Sequence, residues 1–514
     1  MNSTVLNVVA DQLPVALQSP LAPQSLTPAI NRLVDVVKNS KPVPATPVPS
    51  KPVFDGFWMK DDKGYSILPS RLMDFLKDEG FKLYFFGNNG SEKTKSYAFV
   101  KSDGNVLKIV SEVEIKRFVS NWIEINKPEL KSVFAKNLVK YVGKNLFETM
   151  FAEFQGKLSR DTRDTVSLYY QNGILEITKD GFQLKPYTEL NGFIWSDSII
   201  KRDFIENTNS GEFEKFFKNV NNNDDERYNK MITAFGYMLH RYKNKADARA
   251  IIFNDESLED ERGGSGKGII VQAVGKLRRS QELDMRGREK SNFIFQGVNP
   301  LVDVIHLEDV DKKFDFGKIF NCITSVLEIE NKNQNIISIA FEDAPKIVIS
   351  TNYAVKGNGD SAVRRKAEYE LHKHYYKGYS PIDEFGHLLF EDWTDEEWNR
   401  FDTWAVKAVQ HYLKNGLIEG ETKTTEIKRL IEETSPCFVK FMDEWSKTMH
   451  FDCKYVKSEF YSDFIKDTDS EEKTESKNIV SKWLEKWAIY KKYCYHEDQK
   501  KIGPDNKRVF WLVQ

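Results

Sequence analysis

The sequence lacks the features that mark several large classes of protein. Its 514 residues include only four cysteines, widely spaced, which fits neither a disulfide framework nor a zinc site. The formal net charge is −2, so the chain lacks the basic excess of a protein that binds nucleic acid through its overall charge. No run approaches the roughly 20 apolar residues of a membrane span. We therefore expect a cytoplasmic protein with free thiols and no membrane partner.

Proline is scarce except at the start of the chain. Nine of the 17 prolines fall within the first 52 residues, among Ser, Ala, Val and Gln. This composition cannot sustain a helix or a sheet, so residues 1–53 are predicted to form a disordered arm. Within it, residues 30–38 place their apolar side chains on one helical face, which could dock on a partner or form only a transient helix.

Beyond the arm, apolar patterns and turn signals divide the chain into four regions, and the fold class they predict is α/β. Residues 54–205 combine short apolar runs with turns, which predicts a small α+β region. Residues 206–380 alternate strands with helices, the pattern of a mostly parallel sheet covered on both faces. Residues 381–425 are predicted to be a helical extension. In residues 426–514, a helix, a basic turn and a terminal strand predict a winged helix.

The segment Glu-Arg-Gly-Gly-Ser-Gly-Lys-Gly, Glu261 to Gly268, crowds glycines around one lysine. Such a backbone can turn several amide N–H groups toward one anion, and the helix predicted to follow adds its positive end. The full phosphate-binding signature has glycine where Glu261 stands and a metal-binding hydroxyl where Gly268 stands. A flexible loop with a solvated lysine is the alternative. The residues predicted to hold the phosphates are Gly263, Gly264, Ser265, Gly266, Lys267 and Gly268.

Three apolar strands are predicted around this loop, at Ala248–Asn254, Leu301–Leu307 and Lys346–Ser350. The first leads into the glycine loop, the second into an acidic pair and the third into an asparagine. Because the carboxyl ends of parallel strands share one edge of the sheet, these groups are expected to lie together where open α/β sheets bind ligands. Three suitable polar groups at three strand ends arise by chance far less often than one. The sequence therefore predicts an ATPase that uses Mg²⁺.

The acidic pair and the asparagine have distinct predicted roles. Glu308 would hold Mg²⁺ directly or through water, and Asp309, also a candidate metal ligand, would orient or deprotonate the attacking water. Asn352 would position that water against the γ-phosphate. Taken singly, each has a plain alternative, since a charged residue often ends a strand and an asparagine often begins a turn.

Basic residues at two further places in the sequence could serve an ATP-driven motor that moves on DNA. Arg364 and Arg365 follow Asn352 by about a dozen residues, and either could act as an arginine finger for a neighbouring subunit, with Arg365 preferred. Salt bridges to nearby glutamates are the alternative. Lys332 lies in a polar turn between two apolar runs, where a hairpin could present it to a DNA phosphate. An ordinary solvated hairpin is the alternative there.

The ordering of these motifs resembles that of the superfamily 3 helicases, ring-forming AAA+ motors of small viruses, phages and plasmids. The resemblance covers roughly Thr233 to Tyr376 and, more loosely, the whole chain after Phe54. It is most specific to the phage and mobile-element primase-helicase group, including proteins of Bacteroidetes prophages. The stretches that carry it are GGSGKG, HLEDVDKKFDF, PKIVISTNYAVKGNG, AVRRK and EDWTDEEWNRFD.

The resemblance implies a role for each motif residue. Lys267 matches the Walker A lysine, Glu308 and Asp309 the Walker B acids, and Asn352 the sensor asparagine, while Lys332 falls in the DNA-contacting hairpin. It also implies a homo-oligomeric ring, as a hexamer, that uses ATP and Mg²⁺ and travels 3′ to 5′ on single-stranded or forked DNA. A primase or another replisome protein is the partner expected for the arm.

The chain departs from that family at two points. Gly268 replaces the usual hydroxyl residue, so Mg²⁺ must rely on Glu308, phosphates and water. The first 200 residues contain no convincing pair of acidic metal ligands or zinc cysteines, so a primase active site is not expected. Two other functions compete with the helicase: a nucleotide-switched initiator or scaffold with little ATP turnover, and a small-molecule P-loop kinase.

Overall fold

The computed structural model describes residues 56–61, 64–87, 96–256, 264–288, 291, 293–332, 336–355, 360–420, 422–467, 476–502 and 505–513. The chain divides into two units, residues 1–58 and 59–514, and only Gly56 to Trp58 of the first are described. The predicted arm and its helix therefore lie outside the described residues. All four cysteines are free. Within the described ranges, no helix is both long enough and apolar enough to cross a membrane.

The amino-terminal region carries two small four-stranded sheets. Its elements are β1 (Trp58–Asp61), β2 (Gly64–Ile67), α1 (Pro69–Asp78), β3 (Phe81–Phe85), β4 (Tyr97–Asp103), β5 (Val106–Ile109), α2 (Glu112–Asn126), α3 (Lys131–Lys136), α4 (Leu138–Tyr141), α5 (Lys144–Met150), β6 (Val166–Tyr170), β7 (Gly173–Ile177), β8 (Phe182–Lys185), β9 (Ile194–Trp195) and β10 (Ile199–Ile200). The strand orders are β3-β4-β5-β9 and β10-β6-β7-β8. Ser111 and Glu114 begin α2 with a reciprocal capping box. The predicted mixture of short strands and helices is confirmed here.

The central region contains the large sheet. Its elements are α6 (Glu212–Asn219), α7 (Asp225–Leu239), β11 (Ala250–Asp255), α8 (Lys267–Gly275), β12 (Ser280–Asp284), β13 (Val304–Glu308), α9 (Phe320–Thr324), β14 (Leu327–Ile329), β15 (Ile337–Ile339), β16 (Lys346–Ser350), α10 (Asp360–Val363) and β17 (Lys366–Leu371). The sheet has the order β12-β13-β16-β11-β17, and every neighbouring pair is parallel. The prediction of a mostly parallel sheet is confirmed.

Both faces of this sheet are covered by apolar side chains. Along β11, Ile251 and Phe253 join one core while Ala250 and Ile252 join the other. This alternation follows from the two-residue period of a strand, and it explains why β11 is an unbroken apolar run. The second predicted strand is shorter than expected, because residues 301–303 precede β13 rather than belong to it.

The carboxyl-terminal region is mainly helical. Its elements are α11 (Pro381–Phe385), α12 (Asp395–Asn415), α13 (Lys423–Glu433), α14 (Pro436–Trp445), β18 (Tyr455–Val456), α15 (Lys457–Asp467), α16 (Lys477–Tyr490), β19 (Cys494–Ile502) and β20 (Asp505–Val513). The last strands form a small antiparallel sheet of order β18-β20-β19 beside α16. Helix α12 crosses α7 closely, since a Cβ on Gly236 would lie 2.4 Å from the carbonyl oxygen of Ala408.

Candidate active site

The strand order brings the predicted site residues to one edge of the sheet. Because β16 lies between β11 and β13, Asn352 at the end of β16 stands between the glycine loop and the acidic pair. All five strands are parallel, so their carboxyl ends share this edge, where open α/β sheets bind ligands. The sequence order of loop, acids and asparagine thus becomes a spatial order of loop, asparagine and acids.

The described part of the glycine loop has the conformation that only glycine adopts freely. Gly264 and Gly266 both have φ of 100°. A Cβ on Gly266 would also lie 2.6 Å from the Phe216 ring, so this position needs glycine for both conformation and space. Gly266 caps α8, whose first N–H groups face the loop. Gly263, Arg262 and Glu261 lie outside the described residues.

Lys267 is the first residue of α8, and its ammonium group is buried at the sheet edge. Its Nζ donates to Asp255 Oδ2 at 2.5 Å and to Asn352 Oδ1 at 2.7 Å. Burial lowers the pKa of this ammonium, while the carboxylates of Asp255 and Asp309 act in the opposite direction. The solvated surface lysine considered above is therefore not what the structure contains, since Lys267 is 9% exposed.

The acidic pair ends β13 with two different environments. Glu308 is partly buried, and its pKa is raised by burial and by the hydrogen bond and charge of Glu282. Asp309 is exposed and has φ of 51°, a left-handed conformation that costs an L-residue roughly 1–2 kcal/mol. Residues held in such conformations concentrate at functional sites. The Glu308 carboxyl is thus partly shielded from solvent, whereas the Asp309 side chain is exposed to it.

A buried histidine that sequence inspection missed lies beneath these acids. His306 Nε2 is 2.9 Å from Ser350 Oγ, and its Nδ1 is 3.1 Å from Glu282 Oε2. Burial lowers the pKa of His306 to about 4, against the opposing charges of Glu308 and Asp309. The imidazole is therefore neutral near pH 7 and links β12, β13 and β16. Its place inside an apolar run gave no sign of this role.

The residues at this edge fit Mg²⁺ but not an all-protein metal cage. Across the described ranges, no three His, Cys, Asp or Glu side chains come together as a metal cluster. Mg²⁺ is commonly held by one or two carboxylates together with phosphates and water, a set that Glu308 and Asp309 can begin. Gly268 supplies no hydroxyl, whereas Ser265 is buried and its Oγ has no partner within the described structure.

The two candidate arginines differ in their surroundings. Arg365 Nη1 donates to the main-chain oxygen of Ser361 at 2.6 Å, and its guanidinium lies 5.0 Å from the centroid of the Phe320 ring. Arg364 is exposed, with its Nε donating to Asp360 O at 3.3 Å. Of the two nearby glutamates that were their alternative partners, Glu368 pairs instead with Arg429 at 2.6 Å. The other, Glu370, accepts the Thr425 N–H through Oε1 at 2.5 Å. Of the two, Arg364 is the one turned toward solvent.

Lys332 stands where the sequence placed it, between two short paired strands. Strands β14 and β15 are antiparallel, and the exposed Lys332 follows β14, while residues 333–335 lie outside the described residues. The hairpin touches the amino-terminal region, because Ser96 Oγ donates to Ile336 O at 3.0 Å. Within the same hairpin, Asn331 Oδ1 accepts a hydrogen bond from the main-chain N–H of Gly297 at 2.9 Å. Both contacts lie at the turn end of the hairpin, on the two residues that flank residues 332–335.

Two more residues complete the site and were not identified from the sequence. Asp255 ends β11 and pairs with Lys267. Lys428 comes from α13 and is buried, with its Nζ 3.0 Å from Asn254 Oδ1 and 2.8 Å from Asp255 O. Asp255 is one of several acidic residues close together in the chain, so the sequence does not distinguish it from its neighbours. Lys428 lies 173 residues from Asp255. No local pattern connects such distant positions.

No family model matches the chain, and no curated protein matches it. Among solved structures, the apo NrS-1 C-terminal region is similar at 12% identity and a TM-score of 0.42, covering 87% of this chain and 99% of that one. A second apo form of that region gives 13% identity and the same TM-score of 0.42. A JCV helicase bound to a thiazolopyridine compound covers 45% of this chain and 63% of its own, at 14% identity and a TM-score of 0.24. Because these TM-scores are low, the function of the chain must be inferred from the residues of its site.

Proposed function

We propose that this chain is an ATP-hydrolysing, Mg²⁺-dependent DNA helicase with an AAA+ P-loop core of the superfamily 3 type. We propose that it acts as a homo-oligomeric ring, as a hexamer, in phage or mobile-element replication. The observation that carries the proposal is the meeting of Lys267 and Asn352 at the carboxyl edge of the sheet, with Asp309 close enough to act on the Lys267 charge. These residues come from three separate strand ends, and phosphoryl transfer needs all three kinds of group.

Each residue has a role that its position supports. The main-chain amides around Gly264 and Gly266 and the N-terminus of α8 suit the phosphates, and Lys267 would pair with the β- and γ-phosphates. Asn352 would orient the attacking water, and Asp309 would accept its proton. Glu308 and Asp309 would hold Mg²⁺, which supplies positive charge to the phosphate oxygens. An arginine of a neighbouring subunit, Arg364 or Arg365, would stabilise the charge of the transition state.

The DNA contact is proposed at the hairpin formed by β14 and β15. Lys332 is exposed, and a single lysine can contact a backbone phosphate without recognising base sequence. In a ring, copies of this hairpin would line the central hole and follow one strand, with hydrolysis resetting them in turn. The contacts of Ile336 and Asn331 with neighbouring segments hold the two ends of the turn that carries Lys332, which would fix the position from which this lysine contacts DNA.

The decisive experiment is DNA-stimulated ATP hydrolysis by the wild type and by Lys267→Ala. We expect the substitution to abolish most hydrolysis, because the ammonium that pairs with the phosphates is removed. Lys276→Ala is a matched control, since this lysine follows the same helix at its far end. Equal rates in the wild type and Lys267→Ala would contradict the proposal.

A nucleotide-switched initiator or scaffold is the second candidate, and Gly268 favours it. The missing hydroxyl removes a direct metal ligand, and a switch needs nucleotide binding more than fast turnover. Strand displacement on a forked duplex separates the two functions. A helicase separates the strands when ATP and Mg²⁺ are present, whereas a scaffold binds the fork and leaves it annealed.

A further inference from the structure

The ammonium of Lys267 already has a partner inside the protein. Its Nζ lies 2.5 Å from Asp255 Oδ2, and both side chains are at least nine-tenths buried. The proposed function requires the same ammonium to pair with nucleotide phosphates. A carboxylate and a polyphosphate are both anions, and they therefore compete for one cation.

Asp255 is held in place far more firmly than Lys267. Every residue of β11 is buried, and Lys428 donates to the main-chain oxygen of Asp255 at 2.8 Å. The Asp255 N–H in turn donates to Asn254 Oδ1 at 2.8 Å. A short side chain on a fixed strand end has little freedom, whereas lysine has four rotatable bonds. When the pair separates, Lys267 is the member that moves.

Separation leaves the carboxylate of Asp255 in an unfavourable position. Its Oδ1 is buried and has no hydrogen-bond partner within the described structure, and Oδ2 would lose its ion pair with Lys267, which leaves the Lys428 ammonium as the nearby positive charge. Leaving a buried charge without its partner is strongly unfavourable. The carboxylate would also face the incoming phosphates, which carry the same sign of charge. Both effects oppose nucleotide binding.

We propose that Asp255 is a built-in competitor of the nucleotide, which holds Lys267 until the phosphates displace it and thereby weakens the binding of ATP and ADP. This inference depends on the proposed function. Its consequence is that the site releases its product readily, because Asp255 recaptures Lys267 as the nucleotide leaves. Asp255 acts through Lys267 and is a positioning residue, since it pairs with the lysine and not with the substrate.

The test is Asp255→Asn, which keeps the shape of the side chain and removes its charge. We expect fluorescently labelled ATP and ADP to bind about tenfold more tightly to this variant, which corresponds to about 1.4 kcal/mol. We also expect ADP to dissociate more slowly and kcat to fall with KM, because product release becomes slower. Asp255→Glu retains the charge and should bind nucleotide nearly as weakly as the wild type.

The control is Asp247→Asn, which makes the same change before the opposite end of β11 and should leave nucleotide affinity unchanged. If Asp255→Asn does not fold, Asp255→Ser removes the same charge with a smaller side chain and carries the same expectation. A folded neutral variant that binds ATP no more tightly than the wild type would overturn the inference. Absence of nucleotide binding by the wild type would instead overturn the proposed function.

Discussion

At the scale of single residues, Gly268 raises the question of how the candidate site would hold Mg²⁺ without a hydroxyl ligand. It is the second residue of α8, where the phosphate-binding signature G-x-x-x-x-G-K-[S/T] has the hydroxyl that holds Mg²⁺. A Cβ added here would meet no atom within 4 Å. The glycine is therefore not required by packing, and its φ is not in the left-handed region. Nothing in the described surroundings prevents a serine.

Gly268→Ser is predicted to strengthen the proposed Mg²⁺ site. The new hydroxyl would add a direct ligand, and we expect the Mg²⁺ concentration for half-maximal ATP hydrolysis to fall by about tenfold, the scale on which ligand support alters metal affinity. The measurement is a Mg²⁺ titration of ATPase rate at fixed ATP. Gly268→Ala is the matched control, because it adds the Cβ and a helix preference at least as large as that of serine, without a ligand. If alanine lowers the Mg²⁺ requirement as much as serine, the effect comes from the helix and not from metal binding.

The sequence anticipated the residues that have a recognisable local pattern. Lys267 stands among glycines, and Asn352 follows an apolar strand, so both could be selected before their contact was known. Asp255 could not, because it begins an acidic stretch in which no residue is distinguished from its neighbours. Its importance comes from a distance of 2.5 Å to Lys267, which only the folded chain defines.

At the scale of secondary structure, α13 ties the carboxyl-terminal region to the candidate site. Lys428 reaches the end of β11, Glu432 Oε1 accepts the N–H of Ala354 at 3.1 Å, and Arg429 pairs with Glu368 on β17. One helix thus contacts the end of β11, the segment that follows β16 and the middle of β17. The carboxyl edge of the sheet is therefore partly shaped by a helix that follows β17 by about 50 residues.

Lys428→Met is predicted to weaken the contact between α13 and the end of β11. The substitution keeps the length of the side chain but removes the Lys428 donor from Asp255 O and from Asn254 Oδ1, which retains only the Asp255 N–H. Loss of a buried donor costs about 1–3 kcal/mol of stability. It also removes a positive charge near the proposed phosphate site. We expect a lower midpoint of thermal unfolding and a higher KM for ATP. Lys440→Met, on the exposed face of α14, should alter neither quantity, and wild-type behaviour of Lys428→Met would contradict the role assigned to α13.

The strands of the central sheet were predictable to different degrees for a physical reason. β11, β13 and β16 are buried on both faces and give continuous apolar runs. The edge strand β12, Ser280–Asp284, has only one apolar residue and gave no such signal. The strand order was equally hidden, because the placement of β16 between β11 and β13 depends on packing between segments far apart in sequence.

At the scale of the whole molecule, the proposed ring requires that one subunit act on the nucleotide of another. Arg365 is held by Ser361 and Phe320 of its own chain, whereas Arg364 extends into solvent beside it. The geometry thus favours Arg364 for reaching a neighbouring molecule, although the sequence alone favoured Arg365. Either residue acts in trans only if subunits associate, so activity should depend on protein concentration.

Mixing two inactive variants tests this arrangement directly. Arg364→Ala and Lys267→Ala should each hydrolyse little ATP, the first with nucleotide binding nearly intact and the second without it. At a mixed interface, the intact loop of the arginine variant meets the intact arginine of the lysine variant, so part of the activity should return, with a maximum near equal amounts. The same mixing experiment with Arg365→Ala determines which of the two arginines acts on the nucleotide of the neighbouring subunit. If neither arginine variant recovers activity on mixing while subunits demonstrably exchange, the arginines act within their own chain, and catalysis does not require a neighbouring subunit.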